Sequence, residues 1–205
     1  MSKFSLTLTP FNQIANLMRL NMPYTFNEVL LELEKEEWES GRHDMYNWPD
    51  GKRHKLIRPK SILLQEIFNY LSSAEPKISI INALYEHIPQ CYERWRWTKD
   101  QMIRNTTLHA EFTRDLPGFY QGVHMDTKIL VATSMVYLTE NNDPDVATYF
   151  HSNELGDNPI QAPTDFGNGW SHLNDWNSWH SGRNYSDKPR YTILVPLTLA
   201  KTLSW

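Results

Sequence analysis

The spacing of apolar residues along the chain changes at about residue 105. Before that point, apolar residues recur mainly every three or four positions, which is the period of an amphipathic helix. Thr9 followed by Pro10 predicts the start of a first helix, and Thr25 with Glu28 forms the capping box of a second. We predict three or four helices in residues 1–104. Their apolar positions are Ile14, Leu17 and Met18 in the first; Val29, Leu30 and Leu33 in the second; Ile62, Leu63, Ile67, Tyr70 and Leu71 after Pro59; and Ile78, Ile81, Leu84 and Ile88 after Pro76.

After residue 105 the pattern becomes that of β-strands. The segment TTLHAEFTR, residues 106–114, alternates apolar and polar side chains as a half-buried strand does. Residues 127–138, 145–150 and 190–199 are rich in β-branched and aromatic residues and predict further strands. Pro196 in the last of these predicts an edge strand or a bulge. Polar loops that contain glycine and proline are expected between the strands, the longest over residues 152–178.

These elements predict an α+β fold. Short strands separated by loops favour an antiparallel sandwich or barrel with the helices packed outside it. A chain of 205 residues is long enough for one domain with a substantial core. We therefore expect one compact domain, in which a mostly helical part, residues 1–104, packs on a β-rich core, residues 105–205.

Composition and charge exclude several classes of protein. The formal net charge is -4, with 20 Lys and Arg against 24 Asp and Glu, so no long-range positive field attracts nucleic acid or an anionic membrane. Cys91 is the only cysteine, which excludes an internal disulfide and favours a reducing compartment. No long apolar run or signal-like start is present. The sequence predicts a soluble, cytoplasmic protein that binds no membrane, and its net charge disfavours nucleic acid as a partner.

The candidate chemistry begins with the segment GVHMDTKIL, residues 122–130. His124 and Asp126 lie one residue apart on a predicted strand, where alternation would turn both side chains to one face. His-x-Asp alone is weak evidence, but His180 precedes a β-rich segment and is followed ten residues later by Arg190. Two imidazoles and one carboxylate on one face of an octahedral ion are the ligands of non-haem Fe(II) oxygenases. An arginine at that spacing can reach a dicarboxylate as a bidentate partner.

These residues resemble a known family. His124-x-Asp126, then His180 about fifty-five residues later, then Arg190-x-Thr192, is similar to the Fe(II)/2-oxoglutarate-dependent oxygenases, on their prolyl-hydroxylase-like branch. The segments RDLPGFYQGVHMDTK, MVYL and ATYF resemble the same family, and the similarity covers roughly residues 105–199. The resemblance implies a double-stranded β-helix core, a jelly roll of the cupin-like kind, with N-terminal packing helices.

The resemblance also implies a role for each matching residue. His124, Asp126 and His180 would bind Fe(II), which 2-oxoglutarate would chelate. Arg190 would pair with the C5 carboxylate of 2-oxoglutarate, assisted by Thr192 and Tyr137. Halogenating relatives lack the carboxylate ligand, so Asp126 favours hydroxylation.

The expected activity is that of a dioxygenase. It would hydroxylate a peptide side chain, such as that of proline, or a small molecule, and would couple this step to decarboxylation of 2-oxoglutarate to succinate. Dioxygen and 2-oxoglutarate would be its partners. The chain departs from the family at Met125, between the two proximal ligands, and at Asp145 and Val146, where members often have glycines. Because these strands border the substrate mouth, the substrate is not carried over from the family.

Two alternatives stay open. RWRW, residues 94–97, could meet the phosphates and bases of a nucleic acid, which would make the protein an oxygenase acting on nucleic acid. The acidic net charge instead favours a junction stabilised by cation-π contacts. The other alternative is a non-catalytic barrel that binds a metal, for which an arginine anchor has no use. His109 could approach the cavity, whereas His151 and His172 are expected to be hydrogen-bonding loop residues.

Overall fold

The structure is a computed structural model that describes residues 3–40, 51–56, 58–127, 129–140, 143–175 and 177–200. Its helices are short and come early in the chain. They are α1 (Phe26–Lys35), α2 (Ile62–Leu71), α3 (Ala74–His87), α4 (Gln90–Trp95) and α5 (Lys99–Asn105). No helix in these ranges is both long enough and apolar enough to cross a membrane.

Strands make up most of the remainder. They are β1 (Ser5–Pro10), β2 (Ala15–Asn21), β3 (Glu39–Ser40), β4 (Arg53–Leu56), β5 (Thr106–Leu108), β6 (Glu111–Asp115), β7 (Phe119–His124), β8 (Leu130–Tyr137), β9 (Thr148–Phe150), β10 (Ile160–Gln161), β11 (Asn168–Leu173), β12 (His180–Asn184) and β13 (Arg190–Leu199). The larger sheet has the order β1-β2-β11-β8-β13-β6-β4-β3, with β5 also paired to β13. The smaller sheet has the order β10-β9-β12-β7.

The two sheets pack face to face. Met135, Tyr137 and Trp170 of the larger sheet share a buried cluster with Phe150 of the smaller one. The strand pairings within both sheets are antiparallel. Two facing antiparallel sheets of this order form a jelly roll, and the predicted double-stranded β-helix with outer helices is confirmed.

Strand β13 shows how the sequence divides the two faces of the larger sheet. Tyr191, Ile193 and Val195 are buried in a cluster with apolar residues of α1 and α2. Arg190 and Leu194, on the alternate positions, line a cavity on the other face. Because side chains of a strand alternate between faces, β13 contributes one face to the core against α1 and α2 and the other face to the wall of the cavity.

The N-terminal part differs from the prediction. The capping box of Thr25 and Glu28 is present at α1, and α2 and α3 form where predicted. The helix predicted from Thr9 and Pro10 is wrong, because this segment forms the hairpin β1–β2. Strand β2 lies between β1 and β11, and backbone pairing on both sides outweighs a helical spacing of only three apolar residues. The described residues contain five helices where three or four were predicted, but β1 to β4 extend the larger sheet, so this part of the chain is a mixture of helices and strands.

The long loop predicted over residues 152–178 is also wrong in part, because it contains β10 and β11. Strand β11 lies between β2 and β8 in the larger sheet. Gly169 allows this close pairing: a Cβ atom there would lie 1.8 Å from the carbonyl oxygen of Met135. A polar segment that contains glycine is usually predicted to be a loop. Here the glycine is instead required because two strand backbones approach closely.

Two smaller predictions concern strand continuity. The segment predicted as one strand over residues 106–114 is divided into β5 and β6. Pro196 lies on β13, which is not an edge strand, one residue before a register irregularity between Leu197 and Thr198 against β8. The bulge alternative therefore describes Pro196 better than the edge alternative.

The position of β11 generates a stability prediction. Gly169→Ala should lower the free energy of unfolding by at least about 3 kcal/mol, because the backbones of β11 and β8 must separate to admit the methyl group. Gly122→Ala is the control, since its Cβ would meet only the Tyr120 side chain at 3.8 Å or more. Urea unfolding measures both variants. Equal midpoints for the two would contradict the described pairing of β11.

Candidate functional site

Three predicted ligands meet at the paired ends of β7 and β12. His124 is the last residue of β7 and lies directly opposite His180, the first residue of β12. Asp126 follows two residues after the end of β7, so it comes from a loop and not from the predicted strand. One ligand atom from each of these three residues lies within 4.8 Å of the other two. The chain thus brings together two residues that are close in sequence and one that is distant.

Backbone carbonyls orient both imidazoles. Nδ1 of His124 donates to the carbonyl oxygen of Gly122 at 2.8 Å, and Nδ1 of His180 donates to that of Ser178 at 2.9 Å. Each Nε2 therefore carries the lone pair that a metal requires. The side-chain amide nitrogen of Gln121 lies 2.9 Å from Nε2 of His124. Gln121, which sequence reasoning missed, therefore lies beside the candidate metal position.

The two oxygens of Asp126 have different neighbours. Oδ1 lies 3.9 Å from Nε2 of His124 and 3.8 Å from Nε2 of His180. Oδ2 accepts a hydrogen bond from the Thr133 hydroxyl and lies 3.4 Å from Nε2 of His172. This arrangement leaves Oδ1 to face the imidazoles, as a monodentate ligand would.

His172 is the most informative residue that sequence reasoning placed wrongly. It lies on β11, is fully buried, and stacks on Trp170 with ring centroids 5.1 Å apart and planes 6° from parallel. Its ring centroid is 4.6 Å from that of His180. The Trp-x-His spacing of residues 170 and 172 fits a strand with both rings on one face, but the neighbouring glycine made the segment resemble a loop.

His151 and His109 lie further from the candidate ligands or have ordinary hydrogen-bond partners. His151 bonds to the Ser181 hydroxyl at 2.8 Å and to the carbonyl oxygen of Gly156 at 3.0 Å. His109 is exposed and lines the mouth of the cavity that contains the three candidate ligands.

Burial sets the charges of the three candidate ligands. It lowers the pKa of His180 to about 3 and also lowers the pKa of His124, so both imidazoles are neutral near pH 7. Burial by itself raises the pKa of Asp126, but the neighbouring His180 and His172 outweigh it and hold that pKa below its usual value. Two neutral imidazoles and one carboxylate suit a divalent ion, and this donor set fits non-haem iron.

The three side chains open into a cavity of about 320 Å³ between the sheets. Met135, Trp170 and Leu194 contribute apolar wall, and Arg190 also lines it. This combination of an enclosed apolar wall with a few convergent polar groups is typical of small-molecule sites. The predicted anchor and the predicted metal ligands therefore share one cavity.

Arg190 does not enter the cavity as a lone cation. Its side chain is buried and binds the carboxylate of Asp115, with Nε to Oδ2 at 2.9 Å, and Nη1 donates to the carbonyl oxygen of Ala147 at 3.3 Å. Arg53 of β4 binds the same carboxylate, with Nη2 to Oδ2 at 2.8 Å. Burial raises the pKa of Asp115, but the two guanidiniums outweigh it and keep this carboxyl ionised. Sequence reasoning missed both Asp115 and Arg53.

Tyr137 and Thr192 lie near Arg190 but bind elsewhere. The Tyr137 hydroxyl donates to Thr148 at 2.6 Å, and the Arg190 guanidinium carbon is 6.0 Å from the Tyr137 ring centroid. The Thr192 hydroxyl bonds to that of Thr113. Neither side chain is among the described residues that line the cavity. Their assistance to Arg190 stays a prediction.

Comparisons with known proteins bear on the fold. No protein-family model matches the sequence, and a search of curated proteins finds no match. Solved structures do match. A prolyl hydroxylase from Trichoplax adhaerens, in complex with a hypoxia inducible factor peptide fragment, is 15% identical with a TM-score of 0.59, over 96% of this chain and 83% of that one.

Two other solved structures are similar over most of their length. A prolyl-4-hydroxylase from Pseudomonas putida has a TM-score of 0.55 at 11% identity, over 85% of this chain and 84% of that one. HygX from Streptomyces hygroscopicus, with nickel and 2-oxoglutarate bound, has a TM-score of 0.55 at 9% identity, over 99% and 86%. At these identities the similarity shows a common fold with 2-oxoglutarate/Fe(II) oxygenases.

The ligand geometry generates a prediction about metal binding. His180→Ala should weaken binding of Mn²⁺ or Ni²⁺ at least about a hundredfold, more than the loss of an outer partner of a ligand would. His54→Gln is the control, because His54 lies on β4 and bonds to Arg114. Calorimetric titration of the metal-free protein measures both. Equal affinity in His180→Ala and the unmodified protein would refute the assignment of His180.

Proposed function

We propose that this protein is an Fe(II)/2-oxoglutarate-dependent dioxygenase that hydroxylates a peptide side chain or a small molecule. His124, Asp126 and His180 would bind Fe(II), and Arg190 would bind the C5 carboxylate of 2-oxoglutarate. The observation that carries the proposal is the presence of all four side chains in one cavity of the jelly roll. A metal with a purely structural role would not require a cation such as Arg190 in the same cavity, and the presence of Arg190 therefore supports the oxygenase over a non-catalytic barrel.

The chain's own residues would bind, orient and exclude water. Bound iron with 2-oxoglutarate supplies the oxidising chemistry, which no side chain of the protein can supply. Gly122 and Ser178 orient the imidazole rings through their carbonyls, and the Thr133 hydroxyl holds the outer oxygen of Asp126, which faces His172. The apolar wall of Met135, Trp170 and Leu194 keeps bulk water from the reacting atoms.

The proposed substrate is a peptide side chain or a small molecule. The rim of the cavity carries His109, Ile129 and Thr198 together with the paired charges of Lys55 and Glu111. This mixed rim suits a polar, largely uncharged group, and the similar structure from Trichoplax adhaerens is a complex with a peptide. Proline in a peptide is therefore the first substrate to test.

The nucleic-acid alternative gains no support from the RWRW segment. Trp95 and Trp97 pack against a buried apolar cluster, and their ring centroids are 5.5 Å apart. The Arg94 guanidinium carbon lies 5.6 Å from the Trp95 ring centroid. These contacts form a junction between α4 and α5 that is stabilised by a cation-π interaction. Because the rings already pack against the protein, they are poor platforms for stacked bases.

Consumption of 2-oxoglutarate tests the proposal. The iron-loaded protein in air should convert 2-oxoglutarate to succinate when offered a mixture of prolyl peptides, and Asp126→Ala should reduce the rate at least about a thousandfold because a metal ligand is lost. His54→Gln should retain the rate. Succinate quantified by mass spectrometry is the readout. No succinate from folded, iron-loaded protein, with either the peptides or a set of small molecules, would reject the proposal.

A further inference from the structure

Arg53, Asp115 and Arg190 form one row across three strands. Asp115 of β6 lies directly opposite Arg53 of β4 on one side and directly opposite Arg190 of β13 on the other. Directly opposed residues of antiparallel strands project to the same face. Both arginines line the cavity that contains the candidate metal ligands.

The row is almost completely removed from water. The exposed fractions are 4% for Arg53, 0% for Asp115 and 1% for Arg190. The Phe119 ring lies against both guanidiniums, with its centroid 4.4 Å from the central carbon of Arg53 and 5.5 Å from that of Arg190. Interactions of such buried charges with a ligand are weakly screened by solvent, so the net charge of the row affects the binding of a charged ligand.

The net charge of the row depends on Arg53. Arg190 and Asp115 together are formally neutral, and such a pair attracts an anion poorly. Both arginines use Nε and Nη2 on Asp115, so neither offers that edge to a ligand carboxylate, and the net charge of the row decides how well it attracts an anion. Arg53, Asp115 and Arg190 together carry a formal net charge of +1.

We propose that Arg53 is a second binding residue for the distal carboxylate of the 2-oxo acid cosubstrate, and that it supplies the positive charge that Asp115 removes from Arg190. This inference rests on the proposed function and extends it, since it assigns part of the cosubstrate site to the N-terminal strand β4. It also gives that strand a function beyond extending the sheet.

A charge series at these positions tests the inference through binding alone. In Mn²⁺-loaded protein without oxygen, Arg53→Met should raise the Kd for 2-oxoglutarate at least about tenfold, because Asp115 then neutralises Arg190. Arg53→Lys, which keeps the charge, should recover most of the affinity. Adding Asp115→Asn to Arg53→Met should also recover affinity, because it restores the charge of Arg190.

Two controls separate binding from structure. Pyruvate, a 2-oxo acid without a distal carboxylate, should bind Arg53→Met and the unmodified protein with the same Kd. Lys60→Met removes a cation that is already paired with Glu37 at 2.9 Å and does not line this cavity, and should change the Kd for 2-oxoglutarate by less than about twofold. Thermal unfolding shows which variants are folded.

If Arg53→Met does not fold, the single variant Asp115→Asn still tests the inference. It removes the negative charge from between the arginines and should bind 2-oxoglutarate at least as tightly as the unmodified protein. An unchanged Kd in folded Arg53→Met, or weaker binding in folded Asp115→Asn, would overturn the inference. If the unmodified metal-loaded protein itself fails to bind 2-oxoglutarate, the proposed function fails instead.

Discussion

The carboxylate of Asp115 is the constraint on which the cavity depends. A fully buried carboxylate is strongly unfavourable unless it is paired, and two guanidiniums on adjacent strands pair it here. Because a slip of one residue would turn one of the partners to the other face, this row fixes the register of β4, β6 and β13. The same pairing places Arg190 at the cavity wall, so fold and candidate binding site rest on one interaction.

The metal candidates depend on a second pairing, in the smaller sheet. His124 and His180 are brought together because β7 and β12 pair antiparallel with these residues opposite each other. Asp126 reaches them from the loop after β7, and its outer oxygen is held by Thr133 of β8 and faces His172 of β11. The larger sheet thus supports the carboxylate while the smaller sheet supplies the imidazoles. The site can form only when both sheets are packed.

Sequence patterns predicted the features that depend on local or well-spaced motifs. The His-x-Asp pair, the distant His180 and an antiparallel sandwich or barrel could be predicted from strand alternation and motif spacing, and the jelly-roll class was implied by the resemblance to a known family. The β1–β2 hairpin was not, since its three apolar residues fit a helix and only pairing with β11 decides between the two. Arg53 and Asp115 are 62 positions apart, and no local pattern indicates that such residues meet. His172 was missed because β11 itself was read as a loop.

In the proposed site, one cavity would bind a metal and a 2-oxo dicarboxylate in mutual contact. The most direct measurement is the Kd for 2-oxoglutarate under anaerobic conditions, with and without Fe(II). If one ligand raises the affinity for the other, the second raises the affinity for the first by the same factor, and a metal that 2-oxoglutarate chelates should have this effect. Fe(II) should tighten 2-oxoglutarate binding at least about tenfold, and Asp126→Ala should abolish this coupling. Equal affinity with and without Fe(II) would contradict the proposed site.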